Sequence, residues 1–238
     1  MKAVSLFAGV GGFDLALERN GAEIVASVEI DKHARKILEK QFPHTNHLED
    51  VCNVTGEQLF NLGFESSGII VGGFPCQDLS VAGKRAGLSG KRSGLFYEVA
   101  RILSETKAQN FVLENVPGLL SSQNGADMAA VIGTLADLGY SVAWRVLDAQ
   151  YFGVPQRRRR VFIVGSLGDD WRTPAEVLAI AEGRRGYLAQ GEQSRKKSAT
   201  ETTASSRVSS GEIVGPLLAS DYKFPQQQQA HENKIVIQ

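Results

Sequence analysis

Two cysteines occur in a chain of 238 residues. One of them, Cys76, stands in "GIIVGGFPCQDLS", where an apolar run stops and a polar, glycine-rich run begins. A lone cysteine is ordinarily a small buried hydrophobe. That reading is weaker here, because the flanking residues are polar and Lys84, Arg85, Lys91 and Arg92 follow closely. A thiol becomes a nucleophile as its thiolate, which nearby positive charge favours. Pro75 fixes φ immediately before it and stiffens the approach. Cys52 lacks such a setting and keeps the reading of a small buried hydrophobe.

Two further groups could share that chemistry. "FVLENV" sets Glu114 at the end of an apolar run, where desolvation favours a protonated carboxyl that can donate to a ring nitrogen. "PQRRRR" sets four arginines at the start of another run. In a strand alternate residues share a face, so Arg158 and Arg160 point one way and Arg157 and Arg159 the other.

Near the N-terminus, "FAGVGGF" follows a short apolar run and opens a helical pattern. Free N–H groups at a helix start suit a polar or anionic ligand group, and glycines let it approach. Glu29 closes the next apolar run, where an acid commonly accepts from ribose hydroxyls. A tight turn with no ligand is the competing reading. The order strand, turn, helix, strand and acid favours an adenosine-type cofactor, dinucleotide or S-adenosylmethionine alike. Asp50 ends a third short run at the same edge; alone it would read as a solvated loop carboxylate.

These residues need a scaffold that gathers strand ends. "AVSLFA", "EIVASVEI", "NHLEDV", "GIIVGG" and "NFVLENV" read as strands, and "FDLALERNG", "DKHARKILEKQF", "GLFYEVARILSETK" and "ADMAAVIGTLADLG" as helices between them. Gly21 and Gly139 are placed as helix stops. The alternation predicts an α/β fold with a mostly parallel sheet covered on both faces. "YSVAWRVLDA" and "RRVFIVGS" are joined by a segment too short for a helical crossover, which predicts an antiparallel last strand. In such sheets ligands gather outside the carboxyl ends of the strands. From Gln77 to Gly94 four glycines, three serines and four basic residues form a long loop suited to closing over phosphates.

Bulk properties bound the rest. Lys+Arg and Asp+Glu are equal at 26 each, so a polyanion site must come from local clustering. Two cysteines make no disulfide framework, no metal site is expected, and a reducing cytoplasmic setting is the default. No run approaches the roughly 18 apolar residues of a membrane span. Residues 1–168 read as the cofactor-binding and catalytic domain, and 169–212 as a helix and polar linker. Residues 213–238 regain a few apolar residues around a glutamine run.

Taken in order, "FAGVGGF", "VEIDKHA", "EDV", "GGFPCQDLS", "LENV" and "QRRRR" resemble the motifs of the cytosine-C5 DNA methyltransferase family. The resemblance covers residues 1 to about 167. It implies a Rossmann-like, S-adenosylmethionine-dependent methyltransferase that acts on a cytosine flipped out of double-stranded DNA, as in restriction–modification systems. The same motifs are shared by transfer-RNA cytosine methyltransferases. Two more readings compete: a non-catalytic remnant that binds cofactor or nucleic acid, and a dinucleotide oxidoreductase.

The resemblance assigns roles. Cys76 attacks C6 of the base, Glu114 donates to N3, Asn115 orients the strand end, and Arg158 and Arg160, with Gln156 in support, hold the base, its phosphate or Glu114. Phe7, Ala8, Gly9, Gly11, Gly12, Phe13, Glu29, Ile30, Asp50, Val51, Phe74, Pro75 and Leu95 line the cofactor pocket. Gln77, Ser80, Lys84 and Arg85 contact DNA. The family's target-recognition domain and its last cofactor-pocket motif have no counterpart here beyond "GPLLASDYKFPQQQQ". The chain is therefore expected to be truncated, with residues 213–238 the start of that region, or to work with a second polypeptide.

Overall fold

The computed structural model describes residues 1–75 and 94–179 and the backbone of the pair Val236–Ile237. The chain opens as β1 (Lys2–Leu6), α1 (Gly12–Arg19), β2 (Glu23–Val28), α2 (Lys32–Gln41), β3 (Asn46–Leu48), α3 (Gly56–Asn61) and β4 (Ile69–Gly72). It continues as α4 (Leu95–Thr106), β5 (Asn110–Asn115), α5 (Gly118–Ser121), α6 (Ala126–Asp137), β6 (Tyr140–Asp148), β7 (Arg159–Leu167), α7 (Arg172–Leu178) and β8 (Val236–Ile237).

One sheet results, in the order β3-β2-β1-β4-β5-β7-β6-β8. The first five strands of that order run parallel, as expected of strands linked by helical crossovers. β7 runs antiparallel to β5 and to β6, and β8 antiparallel to β6. The expectation of an α/β fold with an antiparallel last strand is met by the β6–β7 hairpin, which carries its β7 arm into the place beside β5. Because β7 is reversed, its first residues lie at the edge where β1 to β5 end.

Burial explains the near-continuous apolar strands. Along β1, Val4 and Leu6 enter the main core, while Ala3 joins a smaller core on the other face. The main core is closed by helices with apolar residues at i, i+3, i+4 and i+7. Phe96, Val99, Ala100 and Leu103 serve in α4, and Met128, Val131, Ile132 and Leu135 in α6. Phe13 and Leu17 of α1 cover the smaller core. Leu178 brings α7 onto Ala143 and Val164 of the same face, so the start of the 169–212 segment packs on the sheet.

Gly21 and Gly139 take positive φ just after α1 and α6, as placed from sequence. Two helices were not legible in advance. α3 is two turns capped by the Thr55 hydroxyl, which accepts from the Gln58 N–H at 3.1 Å, and α5 is a single turn after Pro117. β7 begins at Arg159, so Arg157 and Arg158 precede the strand that was expected to contain them.

Candidate active site

The acids and arginines assigned to the site lie on or beside one sheet edge. In sheet order, β3 ends before Asp50, β2 before Glu29, β1 before Phe7 and the glycine turn, β4 before Phe74 and Pro75, and β5 at Glu114 and Asn115. The start of β7 adds Arg158 and Arg160. β1 and β4 are neighbours although β2 and β3 intervene in sequence, which makes the gap between them the switch point where open α/β sheets bind ligands.

The glycine turn is built by its backbone. Phe7 and Gly9 both take left-handed φ, 54° and 57°. At Phe7 that conformation is strained for a residue with a Cβ. Glu29 holds the turn: its Oε2 accepts from the Gly9 N–H at 2.7 Å and its Oε1 from the Asp31 N–H at 2.8 Å. Arg35 of α2 fixes the same corner, donating through Nη1 to the carbonyls of Glu29 at 2.8 Å and Ile30 at 3.0 Å. A Cβ added at Gly9 or Gly12 would meet nothing within 4 Å, so open space stands over this turn. Ile30 is 68% exposed beside it, an apolar surface without cover. Asp50 caps the turn at Val51–Asn53 with its Oδ1, which accepts from the Cys52 N–H at 2.9 Å. Open glycines, an anchored carboxylate, an exposed aliphatic side chain and a second acid fit an adenosine-type cofactor.

Not every assigned residue faces that space with its side chain. Phe13 packs into the smaller core, and Leu95, the first residue of α4, packs against the main one. Ala8 contributes its N–H, which donates to the Val28 carbonyl at 3.0 Å.

On the other half of the edge, Glu114 forms an ion pair with Arg160. Its Oε1 lies 2.7 Å from Arg160 Nε and 3.8 Å from an Arg158 guanidinium nitrogen. Arg158 and Arg160 both turn toward the acid. Beside the apolar strand end, guanidinium groups stand against Glu114, one of the placements the resemblance implied for Arg158 and Arg160. Among the described residues Glu114 Oε2 has no hydrogen-bond partner. It faces Gly73, where an added Cβ would come within 3.0 Å of it. Glycine at this position is what leaves room for the carboxylate.

Asn115, buried to 3% exposure, ties β5 to β4. Its Nδ2 donates to the Phe74 carbonyl at 2.9 Å, and its Oδ1 accepts from the Val116 N–H at 2.8 Å. Phe74 is buried against Phe96 with ring centroids 5.2 Å apart. The backbone leading into Cys76 is thus fixed as far as Pro75. Cys76, Gln77, Ser80, Lys84 and Arg85 lie outside the described residues.

Sequence reasoning missed four supporting residues. Asp148 accepts from the backbone N–H groups of Gln150 at 3.2 Å and Arg158 at 3.1 Å, closing the hairpin that delivers the arginines. Asp14 is fully buried under the glycine turn and accepts from the hydroxyls of Ser5 and Ser27. Arg35 and Arg101 bind backbone carbonyls outside their own helices. Only Asp14 left a local trace, as an acid inside the otherwise apolar face of "GGFDLAL". Cys52 is exposed rather than the small buried hydrophobe expected from sequence; what desolvation it has, then hydrogen bonding and repulsion from Asp50, push its thiol pKa upward. Among the described residues no cluster of metal-ligating side chains occurs, and no helix is long and apolar enough to cross a membrane.

Comparison with known proteins agrees with this geometry. The chain is 38% identical over 182 residues to the Type II methyltransferase M2.BsuMI of Bacillus subtilis, covering 75% of this chain and 44% of that protein. It is 42% identical over 180 residues to M.Sau3AI of Staphylococcus aureus, covering 69% and 43%. It therefore spans less than half the length of these relatives. A crystal structure of a DNMT2 mutant from Spodoptera frugiperda superposes with a TM-score of 0.58 at 25% identity, over 71% of this chain and 50% of that one. The fold of Dnmt2 from S. pombe is also shared, with a TM-score of 0.55 at 20% identity over 71% and 50%. The family model for C-5 cytosine-specific DNA methylase matches residues 1–236. The chain belongs to the C-5 cytosine-specific DNA methylase family.

Proposed function

We propose that this chain carries the catalytic half of a cytoplasmic DNA methyltransferase that uses S-adenosylmethionine to methylate cytosine at C5. The observation that carries the reading is the shared edge. Glu29 with its glycine turn stands on one side of the β1–β4 gap, and Glu114 with the Asn115-anchored approach to Cys76 stands on the other.

The chemistry needs both sides. Cytosine C5 is a poor nucleophile in the intact ring. Bond formation between the Cys76 sulfur and C6 pushes electron density toward C5 and N3, and a proton held between Glu114 and N3 stabilises it. Arg160 orients the Glu114 carboxylate through Oε1, leaving Oε2 for the base. When bound, S-adenosylmethionine supplies an electrophilic methyl group. Loss of the C5 proton and elimination of the Cys76 thiolate return the aromatic ring. The base must leave the stack, because C6 cannot be reached in a duplex. Gln77, Ser80, Lys84 and Arg85 are assigned to the DNA backbone around it.

Residues 1–168 form the catalytic unit in this reading, and 213–238 begin a recognition region. The relatives are more than twice as long as their matched part. Choice of the DNA sequence is assigned to that additional length, on the same polypeptide or a second one.

Labelled S-adenosylmethionine incubated with cytosine-containing duplex, and in parallel with transfer RNA, tests the assignment. Methylated DNA is the expected product, with none from Cys76→Ser. Label in transfer RNA alone would move the substrate to RNA. No label at high enzyme concentration, with cofactor binding intact, would overturn activity of the chain by itself. Trapping of Cys76 on 5-fluorocytosine DNA separates this chemistry from hydride transfer, which has no use for that adduct.

A further inference from the structure

The turn that presents Asp50 and Val51 is gripped from behind by one helix. Arg101 of α4 donates to the Val51 carbonyl at 3.1 Å, across fifty positions of sequence. Acids of the same helix hold the guanidinium: Nε donates to Glu98 Oε2 at 2.8 Å, Nη1 to Glu105 Oε1 at 2.9 Å, and the Nη2 that reaches Val51 also lies 2.7 Å from Glu98 Oε2. Glu105 uses its second oxygen on the far end of the same turn, where Oε2 accepts from the Gly56 N–H at 2.7 Å. α4 packs so closely here that a Cβ at Gly56 would stand 2.8 Å from the Glu105 Cβ. The segment 51–56 is therefore fastened at both ends, its first carbonyl to Arg101 and its last N–H to Glu105.

The clamp is built to last. A guanidinium paired with two carboxylates in a fixed fork loses less freedom per bond than a lysine would. Burial opposes the Arg101 charge, but the hydrogen bonds to Glu105 and Glu98 outweigh it and raise its pKa. The Asp50 carboxylate is aimed by the same turn, because its Oδ1 accepts from the Cys52 N–H one residue beyond Val51. A displacement of Val51 therefore displaces the Asp50 carboxylate.

We propose that Arg101, with Glu105, is the positioning residue of the Asp50–Val51 side of the cofactor pocket. Arg101 sets affinity for the adenosine part of the cofactor without touching it. The inference rests on the cofactor reading above. It adds a source of binding strength in α4, a helix that otherwise serves as core.

Titration of S-adenosylhomocysteine into the purified chain by calorimetry, for the parent, Arg101→Ala and Arg101→Lys, tests it. Arg101→Ala is expected to raise Kd by about tenfold, the loss of one charge-assisted hydrogen bond. Arg101→Lys should fall between Arg101→Ala and the parent, since an ammonium cannot fill the fork. Where methyl transfer is measurable, KM for S-adenosylmethionine should rise while kcat at saturation and KM for DNA stay within about twofold. A merely structural loss would lower Tm and change all three. If Arg101→Ala fails to fold, Arg101→Lys carries the test. No binding by the parent would remove the cofactor reading itself. A parent that binds and an Arg101→Ala that matches its Kd would overturn the role of Arg101 alone.

Discussion

Asn115 on β5 donates to the carbonyl of Phe74, two residues before Cys76, at 2.9 Å and in a buried setting. One side chain thereby holds the strand that carries the acid and the strand that leads to the thiol in a fixed relation. Asn115→Ala leaves the Phe74 carbonyl and the Val116 N–H without their partner. A stability loss of about 1–3 kcal/mol is expected, read as a lower denaturant midpoint. Methyl transfer should fall about 100-fold, more than affinity for S-adenosylhomocysteine does, because small displacements of reacting groups cost that much. An unchanged rate would separate Asn115 from the chemistry.

Glu114→Gln keeps the shape of the side chain but cannot return a proton to N3 and breaks the charge pairing with Arg160 at 2.7 Å. Single-turnover rates should drop by about 10²–10⁴-fold. Cofactor affinity, measured by calorimetry, should be unaltered. Arg160→Ala is expected to lower the rate in the same direction, because Arg158 at 3.8 Å is too distant to orient the acid.

Glu29→Ala frees the N–H groups of both Gly9 and Asp31. Affinity for S-adenosylhomocysteine should weaken by at least about tenfold, from lost ribose contacts and a loosened glycine turn. A dissociation constant equal to that of the parent would count against the ribose role.

Cys52 should be a poor nucleophile. Its thiol pKa is raised above the ordinary value, through partial desolvation and then the Asp50 carboxylate. The reactive species is the thiolate, so raising the pKa lowers reactivity at a given pH. In Cys76→Ser protein, alkylation of Cys52 at about pH 8 should be slower than in an unfolded peptide, whose thiol has a pKa of about 8.5. Its rate should still be climbing with pH where that of the peptide has levelled off. Cys52→Ala should leave methyl transfer intact.

The Asp31 cap of α2 carries a pH signature. Its side chain accepts from the Ala34 N–H at 2.7 Å, and that bond first of all lowers its pKa below 3.8. A depressed folded pKa contributes stability above the unfolded value and loses it as pH falls through the folded one. The Tm difference between the parent and Asp31→Ala should be full at neutral pH and shrink below pH 3.8.

The amino-acid sequence by itself determined every described strand but β8, most of the helices and the residues at their ends. Apolar runs of strand length, a glycine turn before a helix and glycines after helices are local signals, written in neighbouring residues. They were enough to put Glu29, Asp50 and Glu114 at strand ends. They also singled out Cys76 as the candidate nucleophile. Only the tertiary structure decided which strand ends meet. The reversal of β7 beside β5 sets Arg160 against Glu114, and Asn115 reaches Phe74 forty-one positions away. Arg101 grips Val51 from another element altogether. Such contacts depend on strand order and helix packing, which arise from burying both faces of the sheet at once. No stretch of sequence short enough to carry a period can specify them.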